Sequence, residues 1–154
     1  MDAALRQEIR TILKDGKDMT VATVREDGWP QATTVSYASD GEAIYFGCDA
    51  HSQKARNLAR DDRVSLTVNL PYDKWDEIQG VSIGGRARRL TTPEDLDRAG
   101  AVFLEKFAPE IGQYLTGDAS QMALFQVEPA VISVLDYRKG FGWHELVDMA
   151  KEPA

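Results

Sequence analysis

Ser52-Gln53-Lys54 stands where an apolar strand hands over to a helix, so a capping hydroxyl, unpaired backbone N–H groups and a cation converge at one point. That combination binds anions, most naturally a phosphate. Thr33, Thr34 and Ser36 crowd three hydroxyls into one short segment, which by itself reads as the polar side of a half-exposed strand. Arg86, Arg88 and Arg89 read as a solvated or ion-paired strand edge rather than an anion site. Other chemistries are thinly represented. Cys48 is the single cysteine and reads as a small buried hydrophobe, with no second thiol to resolve an oxidised one. The two histidines, His51 and His144, leave no Cys/His cluster at metal-ligand spacing. No nucleophile elbow is present, and no Ser-His-Asp triad can be assembled from spacing. His144, with Trp143 and Phe141, is either a substrate-facing group or part of an aromatic packing cluster.

The elements that must position these residues follow from periodicity. Leu5, Ile9, Ile12 and Leu13 form the stripe of an amphipathic helix over residues 1–16, a lid or edge cover that Asp15-Gly16 ends. From Thr20 the period becomes two, giving strands over Thr20–Arg25, Gln31–Ala38 and Ala43–Cys48 joined by short Gly-containing turns, an antiparallel meander. Helix 52–60 turns Ala55, Leu58 and Ala59 inward, and strand Arg63–Leu70 alternates Val64, Leu66, Val68 and Leu70 with Ser65, Thr67 and Asn69. A loop over Pro71–Ile78 precedes strand Gly80–Leu90, where Gly84-Gly85 signals a bulge. Thr92-Pro93-Glu94-Asp95 opens a helix over 93–107 with Leu96, Ala99, Phe103 and Phe107 as its core face. A short helical piece to Leu115 follows, then strands Met122–Glu128 and Ala130–Asp136 kinked at Pro129, and an aromatic tail over 137–154 without a clear period. About seven strands in mostly antiparallel order must close or stack to hide their edges, which favours a small barrel over a sandwich. The first three strands leave no room for the crossover helices of a parallel fold.

Composition sets the outer bounds. The 154 residues suit one domain, and a chain of about this size buries roughly 68–70% of its unfolded surface. A net charge of −7 argues against a general nucleic-acid binder, so any phosphate site is local. No stretch approaches the roughly 20 apolar residues of a membrane span. Residues 1–18 mix acids and bases without a central apolar run, unlike a secretory signal, and a reducing, cytoplasmic setting is expected.

The run TVATVREDGWPQATTVSY, followed by YFGCDAHSQKARNLARDDRVSLTV, resembles the flavin-binding split-barrel family typified by pyridoxamine 5′-phosphate oxidase. It looks closest to the small relatives labelled general stress proteins or flavin/deazaflavin oxidoreductases. The resemblance implies a mainly β fold with inserted helices, a small antiparallel split β-barrel, and FMN held at a homodimer interface. It implies that Lys54 contacts the FMN phosphate with Ser52 capping the same helix. Thr33, Thr34, Val35 and Ser36 would face the flavin ring and ribityl chain, and Gly47 and Cys48 would lie against the cofactor. Gln79 matches a glutamine donated by the other subunit. Gln53 stands where the family carries an arginine, removing one positive charge from the site. The arginine-rich signature of true pyridoxamine phosphate oxidases is missing after Trp143. The implied activity is therefore that of an FMN-dependent oxidoreductase on an unknown small substrate, with an F420-dependent reductase or a non-catalytic flavin- or haem-binding carrier or sensor as alternatives.

Overall fold

Helix α1 (Ala3–Asp15) starts at Asp2, whose carboxylate accepts the Leu5 N–H at 2.7 Å. Its stripe of Leu5, Ile9, Ile12 and Leu13 is buried in the main core, so the helix is a plug rather than a cover. Each such side chain contributes about 1.5–3 kcal/mol on burial. Gly16 ends the helix because of close approach rather than conformation: a Cβ there would lie 2.3 Å from Val68 Cγ1 and 2.6 Å from the Tyr37 hydroxyl.

The computed structural model describes residues 1–113 and 119–152. Its strands are β1 (Asp18–Val24), β2 (Pro30–Asp40), β3 (Ala43–Asp49), β4 (Arg63–Asn69), β5 (Gln79–Arg89), β6 (Met122–Asp136) and β7 (His144–Asp148). Helix α2 (Gln53–Arg60) follows β3, and α3 (Pro93–Phe107) follows β5. The strands pair antiparallel in the order β3-β2-β1-β4-β5-β6-β7, and a further β3–β6 pairing closes the first six into a barrel. Among the described residues no helix is long and apolar enough to cross a membrane.

Closure is incomplete at one seam. β2 pairs with β3 only over Tyr37–Asp40, while β3 continues to Asp49 against β6. The segment Gln31–Ser36 is therefore laddered to β1 alone, and its other edge lies open. This is the split in the barrel.

Four expectations need correction. The two strands anticipated on either side of Pro129 are one, β6, because the partner strand absorbs the proline. The β5–β6 register shifts between Gly84 and Gly85, which oppose Val131 and Pro129 and leave Ala130 as the extra residue. Only glycine fits opposite Pro129, since a Cβ at Gly85 would fall 2.4 Å from Glu128 O. The tail contains a strand, β7, added to the far edge of β6. Helix α3 packs outside the barrel against Tyr45, Leu90 and Leu124, so of its anticipated core face only Ala99 is fully buried and Leu96 is 38% exposed. Ala59 of α2 is exposed, and Asn57 occupies the inward position. The short helical piece is a 3-10 turn over Glu110–Gln113; its anticipated end at Leu115 lies outside the described residues.

The two sides of the sheet differ in kind. Inside, Val21, Leu66, Val81, Ile83, Ile132 and Val134 are buried. Outside, cross-strand neighbours form one row of Thr34, Thr20, Thr67, Ser82, Ser133 and Leu146, and a second of Ala32, Ala22, Ser65, Gly84, Val131 and Asp148. Only the terminal Asp148 carries a charge.

Candidate functional site

The start of α2 is built by local hydrogen bonds. Ser52 Oγ accepts the Ala55 N–H at 3.2 Å, and Asp49 Oδ1 accepts the His51 N–H at 2.6 Å, shaping the loop from β3. The first turn of α2 contains no acid. Lys54 is half-buried and makes no ion pair or side-chain hydrogen bond among the described residues. His51 contributes backbone groups only, its N–H to Asp49 and its carbonyl to Arg56 Nη1.

The helix is anchored by polar contacts that periodicity does not reveal. Asn57, 2% exposed, donates from Nδ2 to Thr23 Oγ1 at 2.9 Å and to Gln31 Oε1 at 3.2 Å. Its Oδ1 accepts from Gln53 Nε2 at 2.8 Å, so this buried amide is paired at both ends. Arg60 Nη2 donates to Val24 O at 2.8 Å and holds the other end of the helix to the same hairpin. The only sequence signal for the Asn57 anchor was the Gln53/Asn57 spacing of one helical turn.

The open segment of β2 forms the second wall. Strand alternation divides the four candidates there: Thr33 and Val35 are half-buried on the inner side, whereas Thr34 and Ser36 are exposed on the outer side. They do not all face one groove. Thr33 Oγ1 is buried and has no hydrogen-bond partner among the described residues. Gly47 and Cys48 lie half-buried at the end of β3, opposite Leu124 and Ala123 of β6. A Cβ at Gly47 would lie 3.0 Å from Leu124 Cδ2.

Gln79 lies elsewhere. It begins β5 and accepts the Leu70 N–H at 3.0 Å beyond the end of β4, whereas α2 leads into the start of that strand. One chain therefore does not bring Gln79 to Lys54. At its own end lies an aromatic group in which Trp75 stacks on Phe141 at 6.1 Å and Tyr137 meets Phe141 at 5.2 Å. Beside it, His144 Nδ1 lies 3.2 Å from Gly142 O.

Two cavities flank the open segment. One of about 310 Å³ is lined by Arg25, Asp27, Trp29, Pro30 and Gln31 at its start. The other, about 420 Å³, reaches Ser36 at its end and includes Lys14, Lys17, Lys106 and Phe107. Neither is lined by the half-buried Ser52-Gln53-Lys54 corner. Lys106, unremarkable in the sequence, donates to Gly16 O at 2.6 Å and sits 3.8 Å above the Tyr37 ring. Burial lowers its pKa to about 8, against a smaller opposing effect of Asp15. Burial also pushes the Tyr37 hydroxyl well above its ordinary range, and that group donates to Leu13 O at 2.7 Å. Arg86 and Arg88 are ion-paired with Asp62 and Asp95. Among the described residues no group of three or more His, Cys, Asp or Glu is placed to hold a metal ion.

An antiparallel barrel left open along one strand is the fold of the pyridoxamine 5′-phosphate oxidase-like split barrels. The family model for pyridoxamine 5′-phosphate oxidase matches residues 5–136, and the chain belongs to that family. A pyridoxine/pyridoxamine 5′-phosphate oxidase of Vibrio vulnificus is 33% identical over 94 residues, covering 60% of this chain and 42% of that protein. The chain thus aligns with less than half the length of that relative. Among solved structures, a conserved hypothetical protein of Mycobacterium tuberculosis, Rv2991, is 30% identical with a TM-score of 0.76, over 90% of this chain and 87% of that one. A haem-binding protein of Mycobacterium smegmatis shares the fold at 24% identity and a TM-score of 0.79, over 96% of this chain and 59% of that one.

Proposed function

We propose that the protein is a homodimeric flavoprotein that binds FMN and acts as an oxidoreductase on a small substrate. The observation that carries this reading is the split: the open Gln31–Ser36 edge beside a helix whose first turn has no acid and whose Lys54 is unpaired among the described residues. In this reading the N–H groups at the start of α2 and the Lys54 ammonium hold the phosphate. The open edge of β2 offers backbone donors and acceptors to the ring, and Thr33 Oγ1, which has no partner among the described residues, gains one. Bound flavin supplies hydride or electron transfer, while the protein orients the ring and limits water. No acid/base residue is required of the chain.

Dimerisation is supported by the outer face of the sheet, whose two rows of small, almost uncharged residues would let a second copy approach closely. Gln79 would then reach the partner's cofactor rather than its own. The missing arginine-rich signature after Trp143 argues against pyridoxamine phosphate as the substrate.

The test is the absorbance spectrum of the purified protein and a titration with FMN. A colourless protein that binds no FMN rejects the reading, and competition between FMN and F420 decides which ring cofactor is preferred. One observation favours a second reading, a haem carrier. The Gly142 carbonyl accepts from His144 Nδ1, which leaves Nε2 of an exposed histidine free beside exposed Phe141 and Leu146. Haem binding that disappears in His144→Ala would support it.

A further inference from the structure

We propose that Arg56 is the second cation of the phosphate corner, in place of the arginine expected at position 53, and that Gln53 serves to hold it there. The proposal rests on the flavin reading above and assigns a residue that the resemblance does not. Both ends of the Gln53 amide are engaged within the chain. Its Nε2 donates to Asn57 Oδ1 at 2.8 Å and its Oε1 accepts Arg56 Nη2 at 2.9 Å. Arg56, one turn further along, folds back toward the helix start, where Nη1 donates to the His51 carbonyl. The guanidinium therefore lies over the first turn, on the side of the loop that leads from β3.

This placement runs against the local electrostatics. A helix start carries partial positive charge and favours anions, yet α2 gathers Lys54 and Arg56 there with no acid in the first turn. Arg63, Arg86, Arg88 and Arg138 each pair with an aspartate, whereas Arg60, at the far end of α2, donates to the Val24 carbonyl. Arg56 has only neutral acceptors among the described residues, and two of its five N–H donors are used. A phosphate monoester dianion would satisfy both cations and the free N–H groups together. The position of the guanidinium is transmitted from the interior, because Thr23 and Gln31 fix Asn57, Asn57 fixes Gln53, and Gln53 fixes Arg56.

The experiment compares FMN with riboflavin, which has the same ring and ribityl chain without the phosphate. Dissociation constants are measured for the native sequence, Arg56→Ala, Arg56→Lys and Gln53→Ala, with circular dichroism as the check on folding. Arg56→Ala should weaken FMN about tenfold and leave riboflavin unchanged, as expected for loss of one charge-assisted phosphate contact. Arg56→Lys should recover part of the loss, and Gln53→Ala should lose less than Arg56→Ala. Equal changes for FMN and riboflavin, or no change for either, would overturn the assignment while leaving the flavin reading intact. A native protein that binds neither compound would remove both.

Discussion

Leu66 and Thr67 are neighbours on β4 and belong to different problems. Leu66 faces inward, 1% exposed, among the apolar side chains that close around α1. Thr67 faces outward in the middle of a row of threonines and serines running across five strands. The inner face is selected for volume and the outer for smallness and lack of charge. A sheet face meant only for water would tolerate lysine and glutamate at many of these positions. The difference teaches that stability is written on the inner face, while the proposed association belongs to the outer face and the proposed cofactor to the seam between them.

That contrast can be broken one face at a time. Leu66→Ala should cost about 2–5 kcal/mol of unfolding free energy in urea titration, through lost burial and a residual cavity. If the loss were under ~1 kcal/mol, the inner face would not be a packed core. At the seam, Lys54→Ala should weaken FMN binding by about 1.5–3 kcal/mol in fluorescence titration with the melting midpoint little changed. Thr67→Arg should leave the unfolding free energy of the single chain within about 0.5 kcal/mol. In sedimentation the same substitution should convert the proposed dimer to monomer; a dimer that persists would take the outer face out of the interface.

The smallest effect is expected where the two faces meet, at Lys106, which lies above the inward Tyr37 ring and lines the cavity that reaches outward Ser36. Its pKa is lowered to about 8 from 10.5, so between these values the unfolded chain binds more protons than the folded one. Its contribution to stability should therefore rise as pH increases from 8 to 10.5. The difference between native protein and Lys106→Gln, followed by urea unfolding across that window, should grow in favour of the native sequence; a flat difference would count against the burial of this amine.

The meander was readable because its strands alternate and its turns carry glycine, and the Gly84-Gly85 bulge and the Thr92-Pro93 helix start announce themselves locally. What escaped depends on partners distant in sequence. Pro129 looks like a break until Gly85 is seen opposite it. In β7 only Val147 is buried, and one residue has no period. On α3 the apolar spacing is real, but the surface it meets is the small cluster of Tyr45 and Leu90, which periodicity does not specify. At the site, Ser52 and Lys54 stood out by type and position. Arg56 and Asn57 did not, since a surface arginine and a helical asparagine become informative only when their hydrogen bonds are known.

The continuity of β6 through Pro129 also sets a timescale. Residues 125–127 are flanked by β3 and β5, and residues 131–135 by β5 and β7, so both edges of the strand are occupied along most of its length. Amide protons there can reach solvent only when the barrel opens, whereas the free edge of Gln31–Ser36 is accessible without any opening. In hydrogen exchange, β6 should be the last strand to take up deuterium and the Gln31–Ser36 segment of β2 among the first, separating the slow framework from the edge at which a ligand is proposed to bind.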